Sequence, residues 1–247
     1  MKYTFITGMG RSGTKFLGSF LGIDTNVYSA HEYMGNREYW LVSWYLGDKY
    51  SKVILKNAKS KIESEVKKEV FIDVNAYLAD STEALKDVFG GSNIFHLVRN
   101  PKKVVPSLMI RRDDKGIHKI PKTEQEIEAW TNMSKLEQVC VNWVQTTEDL
   151  LKSDAKILQF ENLIKDYNYL LEKVLIPLDL NISEEQYNNH KSKKVNQTRG
   201  WLYRFLYAKY KGKQQISKTI TFEDFDTKQR EQFYAICGPT MEKLGYK

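Results

Sequence analysis

Gly8-Met9-Gly10-Arg11-Ser12-Gly13-Thr14-Lys15 brings glycines, hydroxyls and two cations together directly after an apolar run, Tyr3–Thr7. Phe16, Leu17, Phe20 and Leu21 follow at helical spacing. A strand, a glycine loop and a helix in that order turn consecutive backbone N–H groups and a helix N-terminus toward one point. Such a point holds a phosphate or a sulfate. A magnesium-nucleotide loop needs Gly-Lys followed by Ser or Thr, so that the hydroxyl reaches the metal. Here Gly8 and Gly13 have the right gap, but Thr14-Lys15 reverses the order. That argues against an NTPase and for another phosphate or sulfate ligand. The alternative is a tight turn with no ligand.

A second candidate is Leu97-Val98-Arg99-Asn100-Pro101, continuing to Ser107. Arg99 stands at the end of an apolar run that suits a buried parallel strand. In open α/β sheets, ligands bind beyond the carboxyl ends of the strands. Ser107 lies about two helical turns further on, so its hydroxyl can face the same ligand. Arg99 in a structural ion pair, with Ser107 unrelated, is the competing reading. A third segment, Val27–Ser29, reads as a short strand that delivers Ala30-His31-Glu32. Glu32 would otherwise cap the next helix, and His31 would be a packed polar residue.

The elements that must position these residues alternate. Beyond the first strand–loop–helix unit, Leu55, Ala58, Ile62 and Val66 mark an amphipathic helix. Val70–Val74 reads as a strand, Ser81–Val88 as a helix and Ile94–Val98 as a strand. Asn100-Pro101 opens a helix with Pro in its first turn. Arg111–Lys122 is a polar excursion. Ile127, Trp130, Met133, Leu136, Cys140, Trp143 and Val144 form one long helical stripe. Ala155–Phe160 is another strand, followed by a helix through Ile164, Leu170 and Leu171. A last helix starts near Thr227 and should kink or split at Gly238-Pro239. Strands alternating with helices predict a single α/β domain over residues 1–247, a parallel β-sheet flanked by helices.

Composition narrows the function classes. The chain has 247 residues, 41% hydrophobic and 28% charged, which is globular rather than disordered or fibrous. Cys140 and Cys237 are far apart, and His31, His96, His118 and His190 are scattered, so neither a disulfide framework nor a metal site is expected. No run approaches the ~18 apolar residues of a membrane span, and the N-terminus does not read as a signal peptide. A cytoplasmic location is the expectation. The net charge is +7, yet Lys191–Lys218 holds nine Lys or Arg and no acid, leaving the rest at −2. Trp201, Tyr203, Phe205, Tyr207 and Tyr210 interleave with these cations. Such a segment can bind nucleic acid, lie on an acidic membrane, cover a phosphorylated ligand or form a solvated helix face.

Together the loop and the Arg99 segment resemble the sulfotransferase family that uses 3′-phosphoadenylyl sulfate (PAPS). The family's loop reads roughly Pro-[Lys/Arg]-Ser-Gly-Thr-Thr-aromatic-Leu, and this chain has Gly10-Arg11-Ser12-Gly13-Thr14-Lys15-Phe16-Leu17. By that resemblance the loop binds the 5′-phosphosulfate, with Phe16 near the adenine; ordinary helix core is the alternative for Phe16. Arg99-Asn100-Pro101 and Ser107 are similar to the family's 3′-phosphate motif. Phe160-Glu161-Asn162-Leu163 and Leu244-Gly245-Tyr246 resemble two later motifs, so the likeness spans nearly the whole chain. Arg11 looks like the tyrosylprotein and some microbial branches. In the former a Glu about twenty residues after the loop takes the acceptor's proton, which lands on Glu32; in other branches a His does so, and His31 is adjacent.

The resemblance implies a P-loop-like domain moving a sulfuryl group from PAPS to a hydroxyl or amine, leaving the 3′,5′-bisphosphate (PAP), with no metal. Arg11 and Lys15 would supply positive charge. One departure stands out. Where many members carry a Lys, Ile72-Asp73-Val74-Asn75-Ala76-Tyr77 has no basic residue. The charge must then come from elsewhere, and Asp73 or Asn75 would orient the acceptor. Arg199-Gly200, with Lys193 and Lys194 as rivals, is nearest to the family's late nucleotide-closing loop, which makes 191–218 a segment expected to order over the nucleotide. The acceptor is a small molecule, carbohydrate, lipid or peptide, and nucleic acid is not expected. A small-molecule kinase of the P-loop class, and a nucleic-acid- or membrane-binding protein using 191–218, are the competing functions.

Overall fold

The structure, a computed structural model, describes residues 1–110, 120–192 and 220–247. The strands are β1 (Lys2–Thr7), β2 (Val27–His31), β3 (Val70–Val74), β4 (Asn93–Val98) and β5 (Lys156–Gln159). They form one parallel sheet in the order β2-β3-β1-β4-β5. The helices include α1 (Thr14–Leu21), α2 (Arg37–Leu46), α3 (Asp48–Glu65), α4 (Thr82–Phe89), α5 (Pro101–Met109), α6 (Glu124–Asn132), α7 (Lys135–Lys152), α8 (Phe160–Lys165), α9 (Glu184–Ser192) and α10 (Thr227–Lys243). The expected fold class is what the chain adopts.

The central strands are buried along most of their length because both faces are covered, and they admit only a few polar residues, Thr4, Thr7, Asp73 and His96 among the buried ones. Side chains alternate between the faces. Ile6, Ile72 and Phe95 point toward α1 and Leu163, whereas Phe5, Phe71 and Ile94 point toward Leu55 and Ile62 of α3 and Leu85 of α4. Val98 and Met9 join a third cluster with α5, α7 and α10. The chain lays β3 on one side of β1 and β4 on the other. The order therefore reverses at β1, the kind of switch point beyond whose carboxyl end open α/β sheets bind ligands.

Two expectations need correction. The apolar stripe from Ile127 to Val144 is two helices, because Ser134 starts a new one: its hydroxyl accepts from the N–H of Glu137, whose carboxylate accepts from the Ser134 N–H. Gly238-Pro239 does not split the last helix, which runs unbroken through Pro239 while Phe233, Cys237 and Met241 stay buried in its contact with α7. Helix α2 gives no clear periodic signal in the sequence, because its aromatics crowd both faces and hide any apolar stripe. Cys140 and Cys237 are buried and free.

Candidate active site

The glycine loop leaves β1 at its carboxyl end. Gly8 adopts φ 152° and Gly13 φ 100°. A side chain at Gly8 would put its Cβ 2.3 Å from the Leu97 carbonyl oxygen, and one at Gly13 2.1 Å from the Phe160 ring. Both positions therefore need glycine on two counts, conformation and room. Arg11 sits between them at φ 76°, a conformation that non-glycine residues adopt at a cost. The turn closes through the Ser12 N–H to the Met9 carbonyl, 3.2 Å, and Gly13 then starts α1.

The loop and the end of β4 meet directly. Arg99 donates from Nη1 to the Arg11 carbonyl oxygen, 3.0 Å, and Arg11 donates from Nε to Ser107 Oγ, 2.8 Å. Arg11, expected at the 5′ end of a nucleotide, thus reaches the serine expected at the 3′ end. Arg99 stacks on the Phe160 ring at 4.8 Å. Burial pulls its pKa down, while Glu161 and Tyr246 act the other way. Asn100 caps α5 by accepting from the Lys102 N–H. The Glu161 carboxylate accepts from the Asn100 N–H and the Tyr246 hydroxyl, each at 3.0 Å. Two motifs singled out only by resemblance therefore brace the Arg99 turn. Burial first, then the carboxylate of Glu161, pushes the Tyr246 phenol up.

Two buried polar atoms at this place, Ser12 Oγ and Arg99 Nε, have no hydrogen-bond partner among the described residues. Most such groups are satisfied in folded proteins. Both are donors, one in the loop after β1 and one at the end of β4, so an anion with several oxygens held between these segments would satisfy them. Lys15 is exposed, and Phe16 is half-buried against Phe20, Phe160 and His190. Phe16 thus packs as core on its inner side. Lys193, Lys194, Arg199, Gly200 and the remainder of 193–219 lie outside the described residues.

Strand β2 brings the acid–base candidates to the loop. His31 Nε2 is 3.0 Å from Thr14 Oγ1 and 3.7 Å from Glu32 Oε1. Burial lowers the His31 pKa; Glu32 opposes that shift and Lys15 adds to it. A neutral imidazole follows, tied to the loop hydroxyl. Glu32 has φ 60° and remains partly exposed.

Asp73 and Asn75 have a different place from the one expected. Both are fully buried, so neither is open to an acceptor. The Asp73 carboxylate accepts from the N–H groups of Tyr33 and Met34, each at 3.0 Å, and from Asn75 Nδ2 at 3.1 Å. Asn75 also donates to the Gly35 carbonyl. Burial pushes the Asp73 pKa up and the three donors pull it down; the charge of Glu32 pushes it further up. These bonds hold the turn that directly follows Glu32. Neither residue was assigned this task from sequence, because a buried Asp between apolar neighbours does not reveal its partners. Among the described residues, no group of three or more His, Cys, Asp or Glu could hold a metal ion. Nor does any described helix have the length and apolarity to cross a membrane.

The same architecture recurs in known proteins. The chain aligns over all its length with 98% of the sulfotransferase domain from the curacin biosynthetic pathway, at 14% identity and TM-score 0.54. It aligns likewise with 95% of the sulfotransferase domain of the Synechococcus PCC 7002 olefin synthase, at 13% identity and TM-score 0.55. Mouse sulfotransferase SULT7A1, solved with PAP, matches 97% of this chain over 84% of its own, at 15% identity and TM-score 0.52. At these identities the likeness is one of fold. A search of curated proteins finds no significant match. The sulfotransferase-domain family model, however, matches residues 2–245, so the chain belongs to the sulfotransferase family, enzymes that move a sulfuryl group from PAPS.

Proposed function

We propose that Glu32 is the general base of this sulfotransferase, and that Arg11, Lys15, Arg99 and Ser107 with the loop N–H groups hold the donor. The observation that carries this reading is the convergence of three strand ends. The loop after β1, Arg99 after β4 and His31-Glu32 after β2 are linked by direct hydrogen bonds or short contacts. PAPS supplies the sulfuryl group and departs as PAP. Arg99 and Ser107 would read the 3′-phosphate. Gly13 and Thr14 would present backbone N–H groups to the 5′-phosphosulfate, with the Ser12 hydroxyl, beside Arg11 and Lys15, while the Ser12 N–H closes the turn to Met9. Fixed donors there stabilise charge as it moves onto the leaving phosphate oxygen. The acceptor oxygen bonds to sulfur as the bond from sulfur to that phosphate oxygen breaks. Glu32 takes the acceptor's proton.

His31 has the supporting part. Its imidazole is held neutral by burial and bonded to Thr14, so it ties β2 to the loop. Free, buried Cys140 and Cys237 suit a reducing compartment, in keeping with a cytoplasmic location. The acceptor is a small molecule, carbohydrate, lipid or peptide with a hydroxyl or amine.

The test uses labelled PAPS with a panel of acceptors in excess chelator. Transfer should persist without divalent ions. Glu32→Gln should lower turnover by ~10²–10⁴, the usual share of general base catalysis, with PAP affinity little changed. His31→Asn should cost much less. A near-normal Glu32→Gln beside an inactive His31→Asn would hand the base to His31. A requirement for magnesium and ATP would make the protein a kinase instead.

A further inference from the structure

Beside Glu32 lies a cavity of about 350 Å³, walled by the turn after β2 and by α2 and α3. Small-molecule sites span about 300–1,000 Å³, so this one suits a compact ligand or part of a larger one. Its position next to the proposed base makes it the acceptor's place, and the inference rests on that reading. Among the described residues, Glu32 and Glu38 are the charged side chains that line it, and both are acidic. The apolar surface comes from Met34, Tyr39, Val42 and Ile54.

Among the described residues, no Lys or Arg lines this cavity. Lys52 on α3 pairs with Asp87, and Lys49 lies against the Tyr50 ring. Arg11, Lys15 and Arg99 stand on the nucleotide side. The site is thus divided, with cations where the donor's phosphates would lie and carboxylates where the acceptor would enter. Glu32 must also remain ionised to accept a proton, so an acceptor carrying its own negative charge meets repulsion from two carboxylates.

The apolar wall does not end at the cavity. On α2, Glu38 and Val42 continue at helical spacing to Leu46, which is 56% exposed. On α3, Ile54 is flanked by Tyr50 and Val53, 50% and 59% exposed. A polar acceptor such as a bare sugar leaves this surface wet. An acceptor with an apolar body covers it.

We propose that the acceptor is an uncharged or cationic amphiphile. Its hydroxyl or amine lies at Glu32, its apolar body runs over Met34, Val42 and Ile54, and any positive charge faces Glu38. Anionic sugars, nucleotides and acidic peptides are excluded by the same geometry.

Three phenols of nearly one size separate charge from shape: tyramine, 4-ethylphenol and 4-hydroxyphenylacetate. Their binding to the PAP-loaded 247-residue chain is measured by calorimetry, and their kcat/KM with PAPS by label transfer. Tyramine should bind at least tenfold more tightly than 4-hydroxyphenylacetate, with 4-ethylphenol between. Glu38→Lys, an exposed helical position, should reverse the ranking of the two charged phenols and leave PAP affinity unchanged. Val42→Asp should weaken 4-ethylphenol fivefold or more. The proposal is overturned if the anionic phenol binds as well as tyramine, if Glu38→Lys leaves the ranking intact, or if none of the three binds while PAP does. Failure of PAP itself to bind removes the nucleotide reading first, and this one with it.

Discussion

Replacing Asp73 with Asn changes one atom of a side chain that touches neither loop nor proposed acceptor, yet it should slow catalysis. The reason lies in the backbone of Glu32. Its φ of 60° is a conformation that costs about 1–3 kcal/mol for a non-glycine residue. The structure offsets that strain with the bonds from Tyr33 and Met34 to the two Asp73 oxygens, each at 3.0 Å. A hydrogen bond to a charged group contributes about 1.5–3 kcal/mol. Asn keeps one acceptor and turns the other oxygen into a donor that faces an N–H. The lost bond is therefore as large as the strain it held, and Glu32 is released to relax. At about 1.4 kcal/mol per tenfold, kcat should fall about 10- to 100-fold. The decisive assay is a double-mutant cycle with Glu32→Gln. Without its carboxylate, position 32 has little left to lose, so Asp73→Asn should then cost less than about threefold by the same scale. PAP affinity should hold in all four proteins. Thermal melts report folding separately; should Asp73→Asn not fold, Asn75→Ala removes the third donor and should show the same coupling more weakly. Equal losses in both backgrounds, or an unchanged kcat, would refute the reasoning.

Other positions carry independent tests. Ser107→Ala should weaken PAP binding roughly tenfold or more, since a charge-assisted bond contributes about 1.5–3 kcal/mol, and should weaken adenosine 5′-phosphate less, through its bond to Arg11 alone; calorimetry with both nucleotides reads the difference. Gly13→Ala should destabilise the fold by about 2 kcal/mol or more in urea titrations, because its Cβ meets the Phe160 ring in a conformation only glycine tolerates. Burial holds His96 down to about 4 from an ordinary 6.5. The unfolded chain therefore binds its proton first, and stability should fall as pH drops from about 6.5 toward 4, by about 3 kcal/mol for this residue. His96→Leu should flatten that part of the stability–pH curve, and an unchanged curve would show that His96 is not titrating this way.

Much of the site was legible because its signals are local. A strand, glycines at the positions a turn requires, and a helix after them are neighbours in the chain, so residues 8–17 announce an anion loop. Arg99-Asn100-Pro101 does the same for the end of β4 and the start of α5. The parallel sheet follows from strands alternating with helices, a pattern that short-range periodicity carries. Helix α6 could have been separated from α7 by the Ser134 and Glu137 signature, which is also local. The missing parts are long-range. Nothing near Asp73 in sequence tells that it grips Tyr33 and Met34, 39–40 residues earlier. The same holds for Glu161, which braces Asn100 across 61 residues and Tyr246 across 85. Arg11 reaching Ser107 spans 96. Such pairs form only once the sheet order is set and the strand ends are brought to one crevice. Local propensity reflects each residue's own backbone and its near neighbours, whereas burial without water decides which distant donor a carboxylate must find.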